Sequence, residues 1–206
     1  MKCFSYVIPR DYGFAPNPFG DYCTLATCKP NIRNKANIGD WVIGTGSAKY
    51  RNISGKLIYA MRIDEKLTFD DYWNDLRFRY KKPIFNGSLK QTYGDNIYHS
   101  DNAIWIQENS HHSLPDGSEN LKNKERDLKS NYVLISEYFL YFGKDAIDFP
   151  QNLRDIFHIK RIGEKSNFLQ KDVKLLVRWL EKLKHKTKFI GVPYLFNKNF
   201  VRYDGS

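Results

Sequence analysis

Residues 36–73, ANIGDWVIGTGSAKYRNISGKLIYAMRIDEKLTFDDYW, decide how the fold is read. Gly39-Asp40 is a turn signal that delivers the chain into the apolar run Trp41-Val42-Ile43. Gly44-Thr45-Gly46-Ser47 then interrupts the run with small residues. Ser54-Gly55 turns the chain back into Leu57–Ile63, which fits a strand buried on both faces. The pattern predicts two strands joined by a Gly/Ser-rich loop. Such a loop lets a ring or an anion approach the backbone, with Thr45 and Ser47 as candidate contacts; a plain hairpin in a β core is the alternative. Downstream, Thr68 has the pattern of a helix N-cap, and Asp70-Asp71 suit the first turn. The helix dipole thus accounts for the acid pair without catalysis.

A chain of 206 residues can bury one full core. Its 14 Tyr, 14 Phe and 4 Trp suit a β-rich interior and leave rings for a stacking surface. No apolar run approaches 18 residues, so no membrane span is expected. The first residues read as a strand over 2–9 and lack the pattern of a signal peptide. Three cysteines make no disulfide framework, and a reduced, cytoplasmic setting is expected. Cys23 and Cys28 lack a matching second pair, so they are expected to be small buried side chains. No metal or other cofactor is expected.

Net charge is +10, and its placement matters more than its size. Lys and Arg stand at 20 against 18 Asp and Glu in residues 1–150, but at 13 against 5 in residues 151–206. A concentrated basic surface attracts phosphate-bearing polymers. Leu169, Val173, Leu176, Leu180 and Leu183 form one apolar stripe, predicting an amphipathic helix over 167–186 with Asn167 as its cap. Lys171, Lys174, Arg178 and Lys182 cover its other faces as candidate phosphate contacts. A short helix is expected around 153–157, and an edge segment over 189–193.

Between these ends lie the candidate site residues. Gly13, Pro16 and Pro18 make 10–18 irregular and hold Asn17 rigidly, as a specificity element or as an Asx turn. Residues 22–28 fit a short strand or a helix; Lys29 and Arg33 beyond them are candidate anion ligands. Arg77-Phe78-Arg79-Tyr80-Lys81 alternates cation and ring, which suits either backbone binding with base stacking, through Arg77 and Arg79, or a charged edge strand. Tyr93-Gly94-Asp95-Asn96 joins turn geometry to side chains able to read a base edge. Trp105 lies on a further strand, as core or as stacking platform. His111 and His112 are adjacent, so in an extended segment they face opposite ways. Residues 114–131 are polar and charged and are expected to be disordered.

The Gly39–Trp41 strand start, the Gly/Ser loop and the run into 69–73 resemble the PUA-like barrels, closest to their EVE and ASCH branches. A tighter similarity is carried by Asp11–Phe19, Cys23–Pro30, Gly39–Trp41, Tyr93–His99 and Ser110–Ser113. Together these resemble the second of the nucleotide-modification-associated domain families, over roughly 1–145. The resemblance implies an α+β, PUA-like mixed β-barrel over 1–145 with peripheral helices, and residues 146–206 as a basic helical extension packed on it. It also implies a link to systems that modify nucleobases or respond to such modification, phage defence included.

The expected function is a module that binds a nucleotide or nucleic acid, holding a modified base in a pocket. Asp11, Asn17, Thr24, Lys29, Arg33, Thr45, Ser47, Tyr93, Asp95, Asn96, His99, Trp105, His111 and His112 would contact the base or nucleotide. Two other readings stay open. One is a small hydrolase on the same scaffold using Lys29, Asp95 or His111, although the chain has no P-loop, G-x-S-x-G, H-E-x-x-H or C-x-x-C motif. The other is an interaction subunit that docks its basic helix on a protein.

Overall fold

Trp41–Gly46 pairs antiparallel with Leu57–Arg62, so the central hairpin forms as expected. The computed structural model describes residues 1–157, 163–184, 191–196 and 199–205. In chain order its strands are β1 (Cys3–Ile8), β2 (Cys23–Leu25), β3 (Trp41–Gly46), β4 (Leu57–Arg62), β5 (Glu65–Thr68), β6 (Tyr98–Asp101), β7 (Ile104–Gln107), β8 (Tyr132–Ser136), β9 (Phe139–Tyr141) and β10 (Glu164–Lys165). The helices are α1 (Pro30–Lys35), α2 (Phe69–Asn74), α3 (Leu89–Thr92), α4 (Leu121–Asp127), α5 (Gln151–Phe157) and α6 (Gln170–Lys184), with 3-10 turns at Leu76–Lys81 and Gly143–Asp145.

The chain divides into two units, each assembled from separate stretches. The first comprises Met1–Asp11, Ala36–Asp64 and Ser136–Leu195; the second comprises Tyr12–Lys35, Glu65–Ile135 and Phe196–Ser206.

In the first unit, one sheet runs β10-β1-β3-β4-β9, with β1 and β3 parallel and the other pairs antiparallel. Its strands β1 and β3 are buried throughout, and β4 is buried up to Arg62. Val173, Leu176 and Leu180 of α6 pack with Trp41, Ile43, Ala60, Leu140 and Phe157 in one core. That contact is why the amphipathic pattern folds as a helix: the stripe removes apolar area from water at about 25 cal/mol per Å². In the second unit β2-β8-β5 form a three-stranded sheet and β6-β7 a hairpin, around a core that includes Phe69, Tyr72, Phe78, Tyr93 and Tyr98.

The fold is thus α+β, but its sheets do not close into a barrel among the described residues; the five-stranded sheet ends on β10 and β9. Several local expectations also change. The 44–47 stretch is strand as far as Gly46, with a bulge between Gly44 and Thr45, and the connection follows it. Its glycines serve close packing: a Cβ on Gly46 would lie 1.9 Å from the carbonyl oxygen of Ile53, and one on Gly44 2.4 Å from Tyr59 and Ile8. Residues 76–81 are a 3-10 turn rather than an edge strand, because the Asp75 side chain caps it by accepting from the Arg77 N–H. The polar stretch 114–131 contains α4, capped by Asn120 and anchored by buried Asn123 and Asp127.

The helix expected at 153–157 forms as α5, and Thr68 makes the full capping box with Asp71. Gln170 donates to the Met1 carbonyl at 2.9 Å. The expected edge segment at 189–193 begins in residues outside the described ones. No helix of the described residues is long and apolar enough to cross a membrane.

Leu180 is fully buried, whereas Leu169 at the start of the expected stripe is 61% exposed. Leu180→Ala should therefore cost about 2–5 kcal/mol of unfolding free energy, and Leu169→Ala no more than about 0.5. Urea unfolding of both variants checks the assignment.

Candidate functional site

The second unit holds two buried polar networks. The first is built around Lys81, whose ammonium donates to Asn17 O (3.0 Å), Asn17 Oδ1 (2.8 Å) and Tyr22 O (2.8 Å). Asp95 accepts from Thr24 Oγ1 at 2.6 Å and from Tyr72 OH at 2.9 Å. Burial pushes the Lys81 ammonium down to about 8, against an upward pull from Asp95. Asn17 also donates to Tyr93 O at 3.0 Å and accepts from the Phe19 N–H. The donors and acceptors of Asn17, Thr24 and Asp95 are thus turned to internal partners, which locks the irregular 12–24 segment to the 72–96 segment. Asn96 donates to Tyr72 O at 3.0 Å, while its buried Oδ1 has no hydrogen-bond partner among the described residues.

The second network centres on Asp127, at the end of α4. Its Oδ1 accepts from the Cys28 N–H at 2.8 Å. Its Oδ2 lies 2.8 Å from His112 Nδ1 and accepts from Tyr98 OH at 3.1 Å. His112 Nε2, on the other edge of the ring, is 3.7 Å from Cys28 Sγ. Burial works against charge on His112, but Asp127 and Cys28 more than offset it and hold the imidazole up to about 9. Burial would raise Asp127; His112, Arg33 and Arg126 bring its carboxyl below the usual range instead.

Arg33 is fully buried and fastens this site. Its guanidinium donates to the carbonyls of Cys28, Asp127, Ser130 and Tyr132 at 2.6–3.0 Å. These bonds join the segment carrying Cys28 to the one carrying Asp127, a structural use of a cation that the sequence offered to an anion. Cys28 and Lys29 have φ of +58° and +41°, consecutive left-handed conformations without glycine. Each costs on the order of 1–3 kcal/mol, which the surrounding bonds must offset. The Cys28 side chain remains half-buried, whereas Cys3 and Cys23 are fully buried and burial raises their thiols, Cys23 to about 12.

The remaining sequence candidates are dispersed. Asp11, Thr45 and Ser47 belong to the first unit. There Asp11 accepts from Tyr141 OH and the Tyr194 N–H, and Thr45 donates to Tyr6 O at 3.4 Å. In the second unit Tyr93 stacks on Tyr12 and accepts from the Val201 N–H. His99 stacks on Trp73 at 4.1 Å and meets Glu108 at 2.9 Å. Trp105 packs edge-on against Phe69. His111 donates from Nδ1 to the Val201 carbonyl and lies among Tyr12, Phe14 and Tyr93. His111 and His112 sit in a turn, their rings 5.7 Å apart and 31° from parallel, so they do not point to opposite faces as an extended segment would require. Arg77 is held by Glu65 and Asp75, while Arg79 is exposed.

Cys28 and Asp127 are the members that sequence reasoning did not select. Asp127 falls in the stretch whose polarity predicts disorder, and Cys28 is expected from sequence to be a small buried side chain.

A model of the family described as nucleotide modification associated domain 2 matches residues 1–200. The chain belongs to this family. Its description associates the chain with nucleotide modification. No curated protein and no solved structure matches.

Breaking the His112–Asp127 pair should cost about 3–5 kcal/mol, because a buried carboxylate loses its partner. The pH dependence has a definite sign. His112 is raised from an unfolded value of about 6.5, so its contribution is complete below that and is lost as pH rises through about 9. The stability difference between wild type and His112→Gln should therefore be largest near pH 6 and narrow by pH 9.5. Lys81, pushed down to about 8, adds the opposite slope to both proteins and cancels in the difference. Urea titrations at the two pH values measure it.

Proposed function

We propose that the protein binds a nucleotide or nucleic acid within a system that modifies nucleobases or responds to modified ones. Family membership gives the nucleotide association. The observation that supports a polymeric partner is the outer surface of α6. While Val173, Leu176 and Leu180 enter the core, Lys171, Lys174, Arg178 and Lys182 are exposed and form no ion pair among the described residues. Cations displayed without carboxylate partners neutralise phosphates and release counterions, giving affinity without sequence preference.

Base recognition is assigned to the second unit, near the half-buried Cys28 and the ring of Tyr203. Tyr203 lies 5.6 Å from the His112 ring and carries the Arg126 guanidinium over its face. An aromatic face beside a guanidinium suits stacking of a base and contact with its phosphate. Asn17 and Asp95 are turned to internal partners and leave discrimination between bases to other groups. The hydrolase reading has its own observation in the Cys28–His112–Asp127 arrangement.

An electrophoretic shift of single-stranded DNA or RNA tests the reading. Binding should weaken steeply with salt. Lys174→Glu/Lys182→Glu should weaken it for every sequence and lower the log–log salt slope by about one to two. Binding that is insensitive to salt and to both changes would contradict the role of α6.

A further inference from the structure

We propose that Cys28 is a catalytic nucleophile, with His112 as its proton acceptor and Asp127 as the residue that positions both, and that the site cleaves or transfers an acyl group carried on a nucleotide-bearing substrate. Only the nucleotide half of that substrate rests on the function proposed above; the thiol chemistry stands on geometry.

A sulfur nucleophile needs a base within reach and a third group that fixes the base. Cys28 Sγ is 3.7 Å from His112 Nε2, and His112 Nδ1 is 2.8 Å from Asp127 Oδ2. The second carboxylate oxygen holds the nucleophile's own backbone through the Cys28 N–H at 2.8 Å. One carboxylate therefore fixes the ring and the sulfur together. Asp127 and His112 are buried, while Cys28 is only partly buried. His112, Arg33, Arg126 and the Tyr98 hydroxyl lie within electrostatic reach of the sulfur. The backbone at Cys28 and Lys29 is held in the left-handed region by Arg33 and Asp127. A strained conformation kept at a reactive sulfur fits a site whose geometry is fixed before substrate arrives.

The same three residues bring a sulfur, a ring nitrogen and a carboxylate oxygen within 4.8 Å of one another, a set that could hold a metal ion. Their directions favour proton transfer. Asp127 Oδ2 engages Nδ1, on the ring edge away from Cys28, and Oδ1 is taken by the Cys28 N–H. Only Sγ and Nε2 then converge, fewer than the three or four protein ligands of a zinc site.

The reaction balances with water as the only co-reactant. The thiol proton resides on His112 Nε2 while the sulfur lone pair forms a bond to the acyl carbon and the C=O pair moves to oxygen. The adduct collapses, the bond from carbon to nitrogen or oxygen breaks, and His112 returns the proton to the departing amine or alcohol. Water then attacks the thioester, giving its proton to His112. The C–S bond breaks, Cys28 recovers that proton, and the acid is released.

The test is alkylation of the full chain by iodoacetamide, read by peptide mass spectrometry from pH 5 to 9, with Cys3 and Cys23 as internal controls. Cys28 should react at pH 6 roughly tenfold or more faster in wild type than in His112→Gln. Asp127→Asn should move the profile the same way, a readout that loss of packing alone does not produce; should that variant fail to fold, His112→Gln carries the comparison. p-Nitrophenyl acetate should leave one acetyl group on Cys28, absent in Cys28→Ser. Identical profiles in wild type and His112→Gln would overturn the proposal. So would one equivalent of zinc retained by wild type, lost in Cys28→Ser and shielding Cys28 from alkylation. The alkylation profile bears on the triad alone and the salt-dependent gel shift on nucleic-acid binding alone, so failure of either is distinguishable.

Discussion

The buried carboxylate of Asp127 is the constraint on which the second unit depends. Two oxygens serve three groups from distant parts of the chain: the Cys28 amide, the His112 ring and the Tyr98 hydroxyl. The circuit closes on itself. Tyr98 OH accepts from Gln107 Nε2 at 2.9 Å, Gln107 Oε1 accepts from the Asn120 N–H at 2.7 Å, and Asn120 caps the helix that ends in Asp127. A buried charge in a low-dielectric interior is tolerable only when its partners are in place, and here each partner also fixes a turn or a helix end. The same bonds that keep Asp127 ionised hold the Cys28 sulfur opposite His112.

The chain uses its cations in two distinct ways. Arg33, Lys81 and Arg77 work within the fold, on carbonyl groups or on carboxylates. The basic residues of α6 stay exposed, because the helix satisfies its packing through the opposite stripe. Sequence alone cannot tell these uses apart. A guanidinium that ends among four backbone carbonyls and one that meets a phosphate are the same residue until the chain folds.

What the sequence made legible was periodic and local. The β3–β4 pair, the Thr68 capping box, α5 and α6 follow from patterns within a few residues. The Arg77–Lys81 stretch has a strand's alternation, yet its local bonds to Asp75 wind it into a 3-10 turn. The 114–131 stretch looked solvated because its anchors are Asn123 and Asp127 rather than an apolar stripe. The reactive arrangement was illegible for a plainer reason. Cys28 and Asp127 are 99 residues apart, and Cys28 and His112 are 84 apart. No spacing rule reaches that far. The sequence offered His111 to a hydrolase, whereas the ring that meets a Cys and a carboxylate is that of His112.

The ring nitrogens of His112 report on this arrangement most directly. Long-range proton–nitrogen NMR of the imidazole, followed from pH 6 to 10, reads its protonation state residue by residue. The arrangement predicts a doubly protonated ring at pH 7.5 that titrates near 9 in wild type and nearer an ordinary histidine value in Cys28→Ser. A neutral His112 at pH 7.5, indifferent to the Cys28 substitution, would contradict it.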